Sequence, residues 1–493
     1  MSTSDPYERR SSYINTPFIS TLESAAYTNG QDDPNYYSHD PRSLVSSSTV
    51  HSFTTGTGSA IYNSMLPLLE STNQELILVT CFWARSSTLQ TLCDVLRKLS
   101  DKVNLRGGEK IKIRLCFSSL SLFQKIFHSQ SVEGQTYAPS VWAEKLGLPS
   151  FSELSGLDIQ IKSAFILPFS VMHPKFMIID RQTVVLPSCN ISWEEWFEGA
   201  ITFSGPVVGK FLEFYSKFWT RGALPPLNRS CRETLREDNS FQDQHNRTQD
   251  FGHGHITSQY VDDSESFSSS EITTIFLPSP HRRNPRFSPF ASGDRVIAPP
   301  TPLNTFILTL AAKAAKSIRI QTPNLTAPPV LSALLNALAR GIDVRILTSE
   351  KLMVLEQLVT AGTTTSRCVN TLIKRYQKMS SSIVNRNPTD EEAAIAMQGP
   401  GRLQISYFAP VHGPKNRGEE NGEPQQSHLK MMIVDNNMLV LGSGNLDRAS
   451  WFTSQELGVA FHDEALVKRV TSVVDRAMEG RTKFVYDSVG GSG

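Results

Sequence analysis

The chain has 493 residues, more than one hydrophobic core usually serves, so two domains are expected. Lys and Arg number 48 against 47 Asp and Glu, a formal net charge of +1. That balance argues against a dedicated nucleic-acid binder, which is usually clearly basic. Six cysteines without a C-x-x-C pair read as reduced thiols of an intracellular protein. No apolar run approaches the roughly 18 residues of a membrane-crossing helix, so no transmembrane segment is expected. Met1 to Arg10 lacks the apolar stretch of a secretory signal, and its Asp5 and Glu8 are foreign to mitochondrial presequences. The expected location is therefore intracellular, cytoplasmic or peripheral at a membrane, and not secreted.

Residues 1–49 are rich in Ser, Asp, Tyr and Asn and read as a mostly irregular N-terminal segment. From Gly56 a helical pattern runs to Leu69, followed by a buried strand at Glu75–Cys81 and an amphipathic helix at Leu89–Leu99. Lys110–Cys116 alternates as a strand. The same order returns later, with a helix from Pro302, a strand at Ser317–Asn324, a helix at Pro329–Arg340 and a strand at Ile342–Leu347. The polar stretch 226–270 reads as a disordered linker, and Glu271–Leu277 as the strand that opens the second half. The expectation is a first half at 50–225, a second at 271–488 and a flexible tail at 489–493. Alternating α and β elements give the fold class α/β, with mixed sheets flanked by helices.

Two short runs carry the chemistry. His173-Pro174-Lys175 leads through Phe176–Ile179 to Asp180, and His428-Leu429-Lys430 leads through Met431–Val434 to Asp435, so both read H-x-K-x-x-x-x-D. Each is followed at the same offset by a small-residue run, with Ser188 and Asn190 in the first and Ser443 and Asn445 in the second. Apolar runs on both sides of Arg181-Gln182 and of Asn436-Asn437 predict two hairpins. Counting back from two-residue turns puts His173 opposite Asn190 and Lys175 opposite Ser188, with His428 opposite Asn445 and Lys430 opposite Ser443. Each ribbon then presents His, Lys, Ser and Asn at one end of one face, a set suited to a phosphate. A single such His or Lys is ordinarily a solvated surface residue; the complete repeat is what argues otherwise. Asp180 and Asp435, at the far end, read as turn residues. Glu198 and Glu456 each open a further apolar strand and are candidates to hold an imidazole Nδ1.

The duplicated motif with its Ser-x-Asn follow-up resembles the phospholipase D superfamily. The second copy, which continues through Leu446-Asp447-Arg448-Ala449-Ser450 to Gln455-Glu456-Leu457, is similar to the cardiolipin-synthase branch. The first copy departs from it, with Pro187 where Gly is usual and with Trp193, Trp196 and Phe197 after Asn190. The resemblance implies two similar α-β-α halves related by a pseudo-two-fold axis, sharing one active site in a monomer. It implies that Glu456 pairs with His173 and Glu198 with His428, although the spacing from Asn differs, eight residues against eleven.

The expected reaction is displacement at a phosphodiester. One histidine attacks phosphorus and forms a phosphohistidine while the other protonates the leaving group and then deprotonates the acceptor. The resemblance favours His173 as the nucleophile. Lys175, Lys430, Asn190 and Asn445 would surround the phosphoryl oxygens. No cofactor and no metal are expected, since the lysines supply the charge. The substrate expected is a phospholipid, met peripherally at a membrane; a superfamily nuclease is the alternative, and a non-catalytic binding protein is less favoured. Other features read as ordinary structure. His253-Gly254-His255 belongs to the linker, Arg282, Arg283 and Arg286 with Phe287 and Phe290 to a solvated loop (the alternative being contact with anionic lipid), and Trp193, Trp196, Phe197, Phe165 and Phe169 to the core (the alternative being the lining of an acyl or base pocket).

Overall fold

The computed structural model describes residues 16–120, 133–166, 170–227, 269–280, 296–384, 399–415, 422–489 and 491–492. The runs at 253–255 and 282–290, Phe169, the first ten residues and nearly all of the expected linker lie outside them. The described part is a mixed α/β structure with one large sheet flanked by helices.

The first-half strands are β1 (Val45–Gly56), β2 (Glu75–Val79), β3 (Ile111–Phe117), β4 (Leu157–Ser163), β5 (Phe176–Ile179), β6 (Thr183–Pro187) and β7 (Trp196–Ser204). The second-half strands are β8 (Ser269–Ser279), β9 (Ser317–Thr322), β10 (Asp343–Thr348), β11 (Leu403–Phe408), β12 (Met431–Val434), β13 (Met438–Gly442), β14 (Glu456–His462) and β15 (Thr482–Asp487). Their order across the sheet is β4-β3-β2-β5-β6-β7-β1 and then β8-β14-β13-β12-β9-β10-β11-β15. In each half the strands β2, β3, β4 or β9, β10, β11 run parallel and the rest antiparallel. The parallel strands are covered by helices such as Ser87–Arg106 and Pro328–Ala339, and their buried apolar residues face those helices and the core. Ser86 starts the first of these helices, its hydroxyl accepting from Leu89 N at 3.2 Å.

The two runs of strands join where β1 pairs with β8, antiparallel from Val45↔Ile275. A strand was expected nowhere before residue 50. The strand begins five residues earlier, in a Ser-rich run whose polar composition hides its period-two pattern. Ser48 is buried there, and its hydroxyl lies 2.6 Å from that of Thr274. Residues 16–24 are helical as well, with Phe18 and Leu22 fully buried, so the N-terminal segment packs on the core where an irregular stretch was expected. At the tail, Gly491–Ser492 pairs with Tyr486–Asp487.

Candidate active site

Both ribbons form, but one residue away from the expected register. The ladders run Met177↔Val185 to Ile179↔Thr183 and Met431↔Leu441 to Val434↔Met438, so three residues separate the paired ends. Continuing the ladder puts Lys175 across from Pro187, not Ser188. The positive φ angles fall on Asp180 and Arg181, and on Asp435 and Asn436, one residue earlier than expected. The cause is the aspartate. Asp180 accepts from the backbone N–H of Asn73, Gln74 and Glu75 at 2.7–2.9 Å, and Asp435 from Ala315, Lys316 and Ser317 at 2.7–3.0 Å. Each carboxylate satisfies the loop that enters β2 or β9, which fixes where the turn begins.

The site side chains gather at the other end, by crossing between halves. The segment before the first motif runs beside Gln455: His173 N donates to Gln455 O at 3.0 Å, and Gln455 N to Val171 O at 2.9 Å. The segment before the second motif runs parallel to the start of β7, with His428 N donating to Phe197 O at 2.8 Å. Glu456 therefore meets the opposite histidine, His173 Nδ1 to Oε2 at 2.9 Å, and Glu198 meets His428, Nδ1 to Oε1 at 2.7 Å. Each glutamate also accepts from the serine of its own half. Ser443 Oγ donates to Glu456 Oε2 at 2.5 Å, and Ser188 Oγ to Glu198 Oε2. The unequal spacing from Asn to Glu has a local cause, the short helix Arg448–Phe452 inserted in the second half.

The lysines are buried, and each Nζ donates to the carbonyl of its own histidine, Lys175 at 2.9 Å and Lys430 at 2.6 Å. Among the described residues that is the one hydrogen bond each makes, which leaves two further N–H donors apiece. The charges of the two motifs are felt across the site. Burial lowers His173, and Lys175 and Lys430 add to the effect against Glu456. Burial likewise lowers His428, to about 3, and Lys430 to about 7. Burial alone would raise Glu198, but His428 beside it holds the carboxyl below its usual range. Asn190 Oδ1 accepts from Phe82 N at 3.3 Å, while Asn445 Nδ2 donates to Asp447 Oδ2 at 3.0 Å.

These donors, imidazoles and carboxylates converge in the pattern the duplicated motif describes, and the family model for the cardiolipin synthase, PLD-like domain matches residues 307–478. The matched region, residues 307–478, belongs to that phospholipase D-like family. Among solved structures, the chain is similar to phosphatidylserine synthase from Haemophilus influenzae Rd KW20, at 13% identity over 89% of each chain with a TM-score of 0.48. It is also similar to the phospholipase D family member Nuc from Salmonella typhimurium, at 19% identity over 37% of this chain and 91% of that one with a TM-score of 0.25. Polyphosphate kinase from Porphyromonas gingivalis matches at 9% identity over 87% and 48%, with a TM-score of 0.44. No curated protein matches the chain.

The sequence reading missed two features of this site. Trp196 lies over His428, with ring centroids 4.5 Å apart, and the His428 side chain is 3% exposed against 17% for His173. The second is the role of residues 411–415 and 422–426. Lys415 pairs with Glu195, Gly422 N donates to Glu195 Oε1 at 2.6 Å, and Gln425 N to Glu195 O at 2.7 Å. The two stretches thus hold the loop that carries Trp196. Of the other aromatic residues near the first motif, Phe165 and Phe197 are core, whereas Trp193 is 53% exposed. Among the described residues no cluster of three or more His, Cys, Asp or Glu side chains is placed to hold a metal ion, and no helix is long and apolar enough to cross a membrane.

Proposed function

We propose that this protein is a phospholipid phosphodiesterase or phosphatidyltransferase that works through a phosphohistidine. The observation that supports it best is the crossed pair of His–Glu contacts beside two buried lysines with spare donors. Each Nδ1 is engaged by a carboxylate, which leaves each Nε2 directed to chemistry. His173 is the nucleophile in this reading. It is the more open imidazole, and burial keeps it neutral, so its Nε2 lone pair is available at neutral pH. Nε2 attacks phosphorus and the bond to the leaving alkoxide breaks, with His428 donating the proton that the alkoxide takes. Water or an alcohol then gives that proton back to His428 and displaces His173. Lys175, Lys430, Asn190 and Asn445 stabilise the charge on the phosphoryl oxygens.

His428 must carry a proton for this role, and in the free site burial opposes it. An arriving phosphodiester monoanion supplies the missing counter-charge. Substrate binding and protonation of His428 are therefore coupled. Glu456 and Glu198 hold the imidazoles, Ser443 and Ser188 hold the glutamates, and Asp180 and Asp435 shape the turns. The two halves are a duplicated unit related by a pseudo-two-fold axis between β1 and β8. Their matching strand orders support this, and a single chain then carries the whole site.

The test is a panel of phospholipid vesicles with product identification by mass spectrometry, with and without glycerol as acceptor, and with single-stranded DNA as a parallel substrate. Release of a headgroup or transfer to glycerol, lost in His173→Asn, is expected. Cleavage of DNA with all phospholipids untouched would overturn the lipid reading.

A further inference from the structure

The helix Val354–Ala361 is turned inside out for a soluble protein. Its buried side includes Gln357, whose Oε1 accepts from Thr365 N at 2.6 Å and Thr365 Oγ1 at 3.0 Å, and whose Nε2 donates to Leu352 O at 2.6 Å. Its outward side is mostly apolar, with Glu356 the one exposed charge within the helix. Leu355 is 76% exposed, Val359 48%, Leu358 39%, and Met353 at its N-cap 40%. Single exposed apolar residues are ordinary, but four on one short element are not. Met353 also sits in the left-handed region, with φ 52°, a conformation that bulky residues rarely adopt.

The helix stands at the site. It follows β10, at the carboxyl end of the parallel strands, where open α/β sheets bind their ligands. Its anchor Thr365 accepts from Leu325 N at 3.1 Å, and Leu325 is bridged to Leu446, the residue after Asn445. Its surroundings are basic. Residues 350–384 hold five Lys and Arg against two Glu, in a chain that is otherwise nearly balanced. Lys351 and Arg367 are exposed on either side of the helix, brought near each other by Ser366 Oγ donating to Glu350 O at 2.9 Å. Arg367, Lys374 and Lys378 are spaced to form one exposed stripe along the helix Thr365–Val384.

We propose that Met353, Leu355, Leu358 and Val359 dock this protein on an anionic lipid bilayer, seating the mouth of the active site at the membrane surface. An apolar helix face with flanking cations is the pattern of an interfacial element. The side chains enter the headgroup boundary and the cations meet anionic lipid. The proposal rests on the phospholipid reading above.

The test uses the full-length protein and co-sedimentation with vesicles of phosphatidylcholine alone or mixed with phosphatidylglycerol. The parent is expected to bind the mixed vesicles, less so in high salt. The triple variant Leu355→Ser/Leu358→Ser/Val359→Ser should bind about tenfold or more weakly. It should keep its thermal midpoint and its turnover of a monomeric short-chain phospholipid, because the changed side chains are exposed. Lys351→Glu/Arg367→Glu should lose the preference for phosphatidylglycerol. Equal binding by parent and triple variant, or no binding by the parent, would overturn the proposal. So would a parent dimer that the triple variant dissolves, since the face would then serve a second copy. Vesicle binding without turnover of any phospholipid would keep the docking surface and end the substrate reading instead.

Discussion

The two motif copies are built to one plan and are not equivalent. Glu198 spends one oxygen on His428 and the other on Ser188, whereas Glu456 gives Oε2 to both His173 and Ser443 and leaves Oε1 without a partner among the described residues. Where the second half sets Gly442 opposite Gly458, the first sets Pro187 opposite Ala200. His428 lies under Trp196, and His173 is the more open. The lesson is that equal motifs leave room for unequal duties. The open imidazole suits attack, and the covered one suits holding a proton away from bulk water.

The largest test removes each imidazole. His173→Asn and His428→Asn should each cut turnover by about a thousandfold or more while the fold survives, as read by circular dichroism. Near-normal turnover in either would end the shared-site scheme. Next, the glutamates should separate. Glu456→Gln can keep one oxygen for both donors and turn its amide toward the vacant side, so about a tenfold loss is expected. Glu198→Gln must give up one of two partners, so about a hundredfold loss is expected, with the pH profile of kcat/KM shifted. The reverse ranking would show that the carboxylates act otherwise than through these contacts.

Stability against pH sharpens the contrast further. His428 falls from its usual 6.5 to about 3 in the folded chain, so between these values the unfolded chain binds the extra proton. Its contribution is complete above 6.5 and is lost as pH drops toward 3. Lys430 falls from 10.5 to about 7, and the same sign makes stability rise from pH 7 to 10.5. Urea midpoints measured across pH should show both limbs, and His428→Asn should flatten the acid one; an unchanged acid limb would refute its burial as the cause.

Smaller effects concern the frame. A Cβ at Gly442 would lie 2.4 Å from Leu457 O, a backbone atom that cannot swing away. Gly442→Ala should cost about 2 kcal/mol in chemical unfolding, although the first half carries Pro at the matching place. Asp180→Ala should cost about 2 kcal/mol and Asp435→Ala about 1, because the N–H groups they serve are part-buried in the first case and mostly exposed in the second. Turnover per folded molecule should be almost unchanged in both, and a large loss would give these carboxylates a chemical part.

Much of this was legible in the chain, for identifiable reasons. The repeated His, Lys, Ser and Asn stand out because their chemistry is rare at fixed spacing, β2 because its apolar run is continuous, and β3, β9 and β10 because apolar residues alternate along them. The ribbon register was not legible, since it depends on Asp180 reaching three N–H groups a hundred residues away. Nor was the strand start at Val45, where serine hydroxyls replace the expected apolar alternation. Trp196 above His428 depends on how a loop of one half lies on a strand of the other, which no local pattern records.

The interchange of carboxylates between the two motif copies ties them together. Neither copy holds its own imidazole, because each lends its acid to the other's base. Removing the carboxylate of one copy therefore unseats the imidazole of the other. These four side chains stand or fall as one coupled unit.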